Sequence, residues 1–230
     1  MTIETKRALV IAAHPDDPDF GAGGTAGAWS DDGWEFYYLV VTNGAKGSDD
    51  PEITRDQLIE LREAEQRAAA GAVGVKDVLF LGYEDGELTH TRRLLGDVVR
   101  VIRQVRPDAV FTHTTELIHD NQFINHSDHR CAGLVAIDAV YPAARDRLNF
   151  PEHLAEGLEP HKVREVYLWG SNSPNFEVDI TDAMERKIQA LLCHETQFRG
   201  REGFADFVRA RYRGEDGRYR ERFQRVQLRF

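Results

Sequence analysis

The stretch from Ile11 to Thr25, IAAHPDDPDFGAGGT, decides how the rest of the chain is read. The apolar run Ala8 to Ala13 has the character of a buried strand, and it stops at His14-Pro15-Asp16-Asp17. Gly21, Gly23 and Gly24 then read as a glycine-rich turn that opens into a helix-like segment. A strand that ends in imidazole and carboxylate groups and passes through glycines into a helix is the layout of a ligand site. In an open α/β sheet, ligands bind in the crevice outside the carboxyl ends of the strands.

Working outward, Glu35 to Val41 is rich in aromatic and β-branched residues and ends at the turn signal Thr42-Asn43-Gly44, as a second strand would. The polar loop GAKGSDDPEI follows, where either the edge of a site or an ordinary surface loop would sit. Thr54 and Gln57 have capping-box spacing, and Leu58, Leu61, Ala64, Ala68, Ala72 and Val73 predict the apolar face of the helix that follows. Strands are expected over 77–82, 108–113 and 163–169, and helices over 94–105, 181–193 and 203–212. Residues 143–161 carry little periodicity and are expected to form a surface excursion. This alternation of strands and helices implies a mostly parallel sheet covered on both faces.

The 230 residues fit one domain, taken as 1–230, and a composition of 41% hydrophobic and 30% charged residues is that of a globular chain. No apolar run is long enough to span a bilayer, and the first residues lack the pattern of an export signal, so a cytoplasmic location is expected. A net charge of -10 argues against nucleic-acid binding. Residues 199–230 nevertheless hold ten arginines against five acids. A solvated basic tail, or a contact with the acidic body of the same or a neighbouring subunit, is expected there, and a homo-oligomer is compatible with either. Cys131 and Cys193 lie 62 positions apart without metal-type spacing and read as buried reduced thiols.

A second cluster, Asn125-His126-Ser127-Asp128-His129, follows the fourth strand at the start of a helix-like segment. If both clusters sit on the carboxyl edge of one parallel sheet, His14, Asp16, Asp17, His126, Asp128 and His129 surround one point. Two imidazoles and a carboxylate form a standard three-ligand zinc set with an open position. Water bound there has a pKa near 7, and a neighbouring carboxylate can take its proton. Two adjacent aspartates supply one group for each task, and a spare histidine can stabilise an oxyanion or protonate a leaving amine.

The combination of AHPDD with GAGGT, the VTNG strand end, the helix REAEQRAAAGAVGV and NHSDH resembles the LmbE/PIG-L family of zinc-dependent N-acyl deacetylases. The resemblance extends over essentially the whole chain, including His194-Glu195-Thr196-Gln197, similar to a His-x-Ser-Gln element late in these proteins. It implies a three-layer, Rossmann-like α/β fold and one Zn2+ bound by His14, Asp17 and His129. Asp16 would then be the general base, His126 the oxyanion stabiliser or acid, and Asp128 a carboxylate that orients a histidine. Pro18-Asp19, Ser127 and Thr196 depart from the family pattern outside the expected ligand set. The implied substrate is a small N-acylated amino sugar or conjugate, of the N-acetylglucosamine type.

Two other chemistries share part of the pattern. Gly21-x-Gly23-x-x-Ala26 matches a dinucleotide fingerprint, but the acid-rich spacer HPDDPDF separates it from the strand and would repel a pyrophosphate. The glycines are therefore expected to serve close packing. His14-x-Asp16 with His129 also spells the facial triad of an iron(II) oxygenase, and the alternating helices argue against the all-β barrel that usually carries it. Structural roles are expected for His90, His113, His119, His153 and His161, with His113 the exception to watch because it ends a strand. Tyr83, Glu84 and Asp85 read as turn chemistry, and Arg62 and Glu63 as a solvated helix face.

Overall fold

The computed structural model describes residues 5–120 and 122–229. Seven strands form one sheet in the order β3-β2-β1-β4-β5-β7-β6. They are β1 (Arg7–Ala12), β2 (Glu35–Thr42), β3 (Asp77–Tyr83), β4 (Ala109–His113), β5 (Glu165–Trp169), β6 (Phe176–Asp179) and β7 (Arg220–Gln227). The first five are parallel, and β7 runs antiparallel between β5 and β6. The helices are α1 (Asp17–Asp31), α2 (Arg55–Ala72), α3 (Arg92–Val105), α4 (Ser127–Asp138), α5 (Glu152–Ala155), α6 (Met184–Leu192), α7 (Glu195–Phe198) and α8 (Phe204–Tyr212). The mostly parallel α/β sheet with helices on both faces is as the sequence implies.

Alternation along β1 explains why the sheet is covered twice. Leu9 and Ile11 enter the core beneath α3 and α4, while Ala8 and Val10 enter the core shared with α1, α2 and α6. Every residue from Ala8 to Ala13 is fully buried, so no polar face is available to the strand. The chain winds one way from β1 through β2 and β3, and the other way through β4 and β5. The crevice at the ends of β1 and β4 is therefore the topological switch point.

Several local expectations need correction. Helix α1 starts at Asp17, so Gly21, Gly23 and Gly24 lie inside it and not in a turn before it. Their packing role does hold. A Cβ at Gly21 would stand 2.5 Å from the Trp169 ring, and one at Gly24 would stand 2.6 Å from Ile180. The capping box of Thr54 and Gln57 is present, but the buried face of α2 is Leu58, Arg62, Gln66, Ala69 and Ala70, while Leu61, Ala64 and Ala68 are exposed. Hydrogen bonds from Arg62 and Gln66 to the loop beyond β1 outweigh the small apolar gain from the opposite face. The 143–161 segment is stitched down as well as exposed: buried Arg103 donates to the carbonyls of Ala144, Phe150 and Asn149 at 3.2, 3.2 and 2.9 Å, and Phe150 and His153 are buried.

Within the basic segment, β7 is a strand of the sheet and α8 a helix, not a solvated tail. Arg222 pairs with Glu177, Arg218 with Asp179 and Arg209 with Glu185, all within the same chain. On β7, Glu221 points inward and accepts from the amides of Gly24 and Thr25 at 2.8 and 2.7 Å and from Lys187 Nζ at 2.7 Å. Lys187 is fully buried and also donates to the carbonyls of Asp19 and Phe20. Burial alone would discharge the lysine, but Glu221 outweighs it and raises its pKa. Cys131 and Cys193 are free and half-buried. Among the described residues, no helix is long and apolar enough to cross a membrane.

Removing one partner of a buried ion pair leaves an uncompensated charge. Lys187→Met should therefore lower stability by roughly 3–5 kcal/mol, read as a lower urea midpoint with an unchanged slope. An unaltered midpoint would mean that Glu221 needs no cation beside it.

Candidate metal centre

The loop between β1 and α1 is short, and it must direct two consecutive carboxylates to different places. Asp16 does so with a φ of 90°, a conformation uncommon for a residue with a side chain. Helix α2 holds it there. Gln66 Oε1 accepts from the Asp16 amide at 2.8 Å, and one turn earlier Arg62 donates to Pro15 O at 2.7 Å, to Gly44 O at 2.9 Å and to Asp16 Oδ2 at 3.4 Å. Gln66 in turn donates to Asp19 Oδ2 at 2.7 Å, where His194 Nε2 also binds at 2.9 Å. The His194 to Gln197 element thus braces the loop from behind, and Gln197 donates to Gly47 O.

All six residues singled out in the sequence converge at the ends of β1 and β4. His14 Nδ1 lies 3.2 Å from His129 Nε2 and 3.3 Å from Asp17 Oδ2, and His129 Nε2 lies 3.1 Å from Asp17 Oδ1. Four ligands about 2.0–2.1 Å from a zinc ion stand roughly 3.3 Å apart in a tetrahedron. The donor set His14, Asp17 and His129 therefore has the type and spacing that can hold one. The other nitrogen of His14, Nε2, faces Asp85 Oδ1 at 3.0 Å and Asp128 Oδ2 at 3.3 Å. A proton on Nε2 leaves Nδ1 free as a ligand, the arrangement that carboxylates commonly impose on metal-binding histidines.

A second combination, His14, Asp85 and His126, is also close enough to hold an ion. It needs His14 to face Asp85 without the proton that this contact favours, so the first set fits better. Asp128 is fully buried and accepts from the amides of Gly86 and Leu88 at 2.7 and 3.2 Å, which ties α4 to the loop after β3. His126 caps α4: its Nδ1 accepts from the Asp128 amide at 3.1 Å, so a neutral ring carries its proton on Nε2. Unlike the rest of the cluster, His126 is exposed.

The electrostatics favour positive charge at the centre. Burial opposes ionisation of His14, but Asp128, Asp17 and Asp85 outweigh it and push its pKa up to about 12. Burial likewise works against the Asp17 carboxylate, and the imidazoles of His129 and His113 hold it well below the usual range. The Asp16 carboxyl is pushed up to about 6 by burial and by the charge of Asp17, with Arg62 acting in the opposite sense. Burial lowers the pKa of His126, as does the charge of His14, so its ring is neutral near pH 7.

Four neighbours depart from their sequence-based expectation or had none. Arg62 is buried against the site and not solvated, and Asp85 faces His14 as well as shaping a turn. His113 lies between Asp17 and Trp169. Gln66 carries no sequence signal of its own; a helix face on which Leu58, Arg62 and Gln66 recur every fourth residue was the available hint.

Comparison with known proteins matches the chain to one family. Residues 9–140 match the PIG-L family, described as GlcNAc-PI de-N-acetylase. A diacetylchitobiose deacetylase from Thermococcus kodakarensis is 37% identical over 195 residues, covering 85% of this chain and 71% of that protein. The structure of an N,N'-diacetylchitobiose deacetylase from Pyrococcus horikoshii superposes with a TM-score of 0.89 at 33% identity, covering 97% of this chain and 85% of that one. A 4-carboxy-2-hydroxymuconate hydratase from Pseudomonas putida superposes with a TM-score of 0.80 at 22% identity, covering 98% of both chains, a likeness of fold.

The brace behind Asp16 makes a stability prediction. Gln66→Leu strips a buried amide and a buried carboxylate of a partner and should cost roughly 1–3 kcal/mol. Gln66→Glu keeps the acceptor for Asp16 but sets two carboxylates together, so its loss in melting temperature should be larger at pH 8 than at pH 5. Equal losses at the two pH values would contradict the contact with Asp19.

Proposed function

The chain belongs to the PIG-L family of GlcNAc-PI de-N-acetylases, and from that premise we propose that this deacetylase is zinc-dependent and removes the acetyl group of an N-acetylglucosamine unit. The spacing of His14, Asp17 and His129 beside the Asp16 carboxylate, which stays outside that set, carries this reading. In it those three residues hold the ion. Zinc, when bound, supplies the positive charge that polarises an acetamide carbonyl and acidifies water.

The chain's own groups then perform the proton transfers. Asp16, with its pKa raised to about 6, is poised to accept a proton from the attacking water near neutral pH. The exposed Nε2–H of His126 donates to the carbonyl oxygen as negative charge develops there. Asp16 returns its proton to the amide nitrogen as the C–N bond breaks, leaving acetate and a free amine. Asp128 and Asp85 orient His14 through its far nitrogen, and Arg62 fixes the loop that carries Asp16. The identity of two chitobiose-acting relatives supports a short N-acetylglucosamine oligosaccharide as substrate.

Purified protein should contain about one zinc per chain and release acetate from N,N'-diacetylchitobiose, with activity lost to a chelator and restored by zinc. Asp16→Asn should keep the metal while losing roughly 10²–10⁴-fold in kcat. Full activity of the metal-free protein, or loss of zinc in Asp16→Asn, would refute the assignment. Because the base acts deprotonated, kcat/KM should rise with pH through the Asp16 titration. Arg62→Gln removes a cation that lowers that pKa and should move the acidic limb to higher pH.

A further inference from the structure

The ring of His113 lies at the end of β4 among three polar groups that compete for its two nitrogens. Trp169 Nε1 approaches Nδ1 at 3.1 Å, while Nε2 is 3.3 Å from the Ala13 amide and 3.4 Å from Asp17 Oδ2. An indole N–H can only donate. With the proton on Nε2, Nδ1 accepts from Trp169 and Nε2 donates to a carboxylate, while the Ala13 N–H that points at Nε2 loses that acceptor. With the proton on Nδ1, two N–H groups would face each other and a lone pair would face the Asp17 charge, in exchange for one bond to Ala13. A charge-assisted bond is about twice as strong as a neutral one, so the first tautomer prevails.

We infer that His113, locked in one tautomer by Trp169, is the positioning residue that fixes the Asp17 carboxylate for metal binding. The inference rests on the proposed role of Asp17 as a ligand. Asp17 Oδ2 also accepts from the His14 amide at 2.8 Å, so two donors hold the carboxylate against rotation. The imidazole is wedged between His129, stacked at 4.2 Å, and the indole at 4.6 Å. The indole itself occupies space that only a glycine at position 21 leaves open.

Zinc affinity of the full chain, measured by competition with a chromophoric chelator, tests this directly. His113→Leu should weaken affinity by roughly 10–100-fold, the usual effect of losing a group that orients a ligand. His113→Gln places an amide N–H where Nε2 stood and should recover most of that loss. Trp169→Phe, which also opens space beneath α1, should weaken binding more in the His113 background than in H113Q, since the glutamine has no tautomer to set. NMR of 15N-histidine-labelled wild-type protein should show His113 protonated on Nε2, a readout independent of any variant's folding. The opposite tautomer, wild-type affinity in H113L, or an equal Trp169→Phe effect in both backgrounds would overturn the inference. Asp17→Asn separates the two levels: if it leaves zinc affinity unchanged, the ligand assignment itself fails, whereas loss of binding there with normal H113L affinity rejects His113 alone.

Discussion

Two adjacent carboxylates, Asp17 buried and Asp16 half-buried, repel each other, and the β1–α1 loop keeps them apart. Turning the backbone to a positive φ at Asp16 points the side chains in different directions, at a local conformational cost on the order of 1–3 kcal/mol. Each carboxylate then meets its own cationic or donor partners. Asp17 faces His129 and His113 inside the sheet edge, and Asp16 faces Arg62 from α2. The separation accounts for their opposite titration behaviour: one is held ionised, while the other stays near the pH at which a base can exchange a proton.

The parts of this arrangement that were legible in the sequence are those encoded by local order. A six-residue apolar run before His14, and the turn and helix signals that follow each strand, required no knowledge of distant partners. The convergence of the AHPDD and NHSDH segments was legible because a parallel sheet sends alternate loops to the same edge. What escaped were contacts whose energetic reason lies elsewhere in the chain. Leu61 and Ala64 made a persuasive apolar face, but the opposite side of α2 is buried because Arg62 and Gln66 meet carbonyl, amide and carboxylate groups of a loop about fifty residues earlier. Asp85 followed a glycine turn signal faithfully and still turned its side chain to His14.

The C-terminal region shows the same limit at the scale of an element. Three of its arginines, Arg220, Arg222 and Arg225, lie on β7, where Glu221 and Phe223 face in while Arg222 faces out. Charge density made it resemble a solvated tail. Paired acids on β6 and on the loops cancel much of that charge within the chain, and the one inward acid, Glu221, becomes the partner of a fully buried lysine. The strand thereby anchors α1 through the amides of Gly24 and Thr25.

The contact between Gly21 and Trp169 links residues 148 positions apart. A methyl group at position 21 would collide with the indole, and a smaller ring at position 169 would leave a gap beneath α1. Either change alone is penalised, while a joint change could be neutral. The two positions are thus expected to drift as a pair, and mutational libraries that vary only one of them sample mostly dead ends. A residue with no side chain can in this way restrict the evolutionary routes open to a site that it never touches.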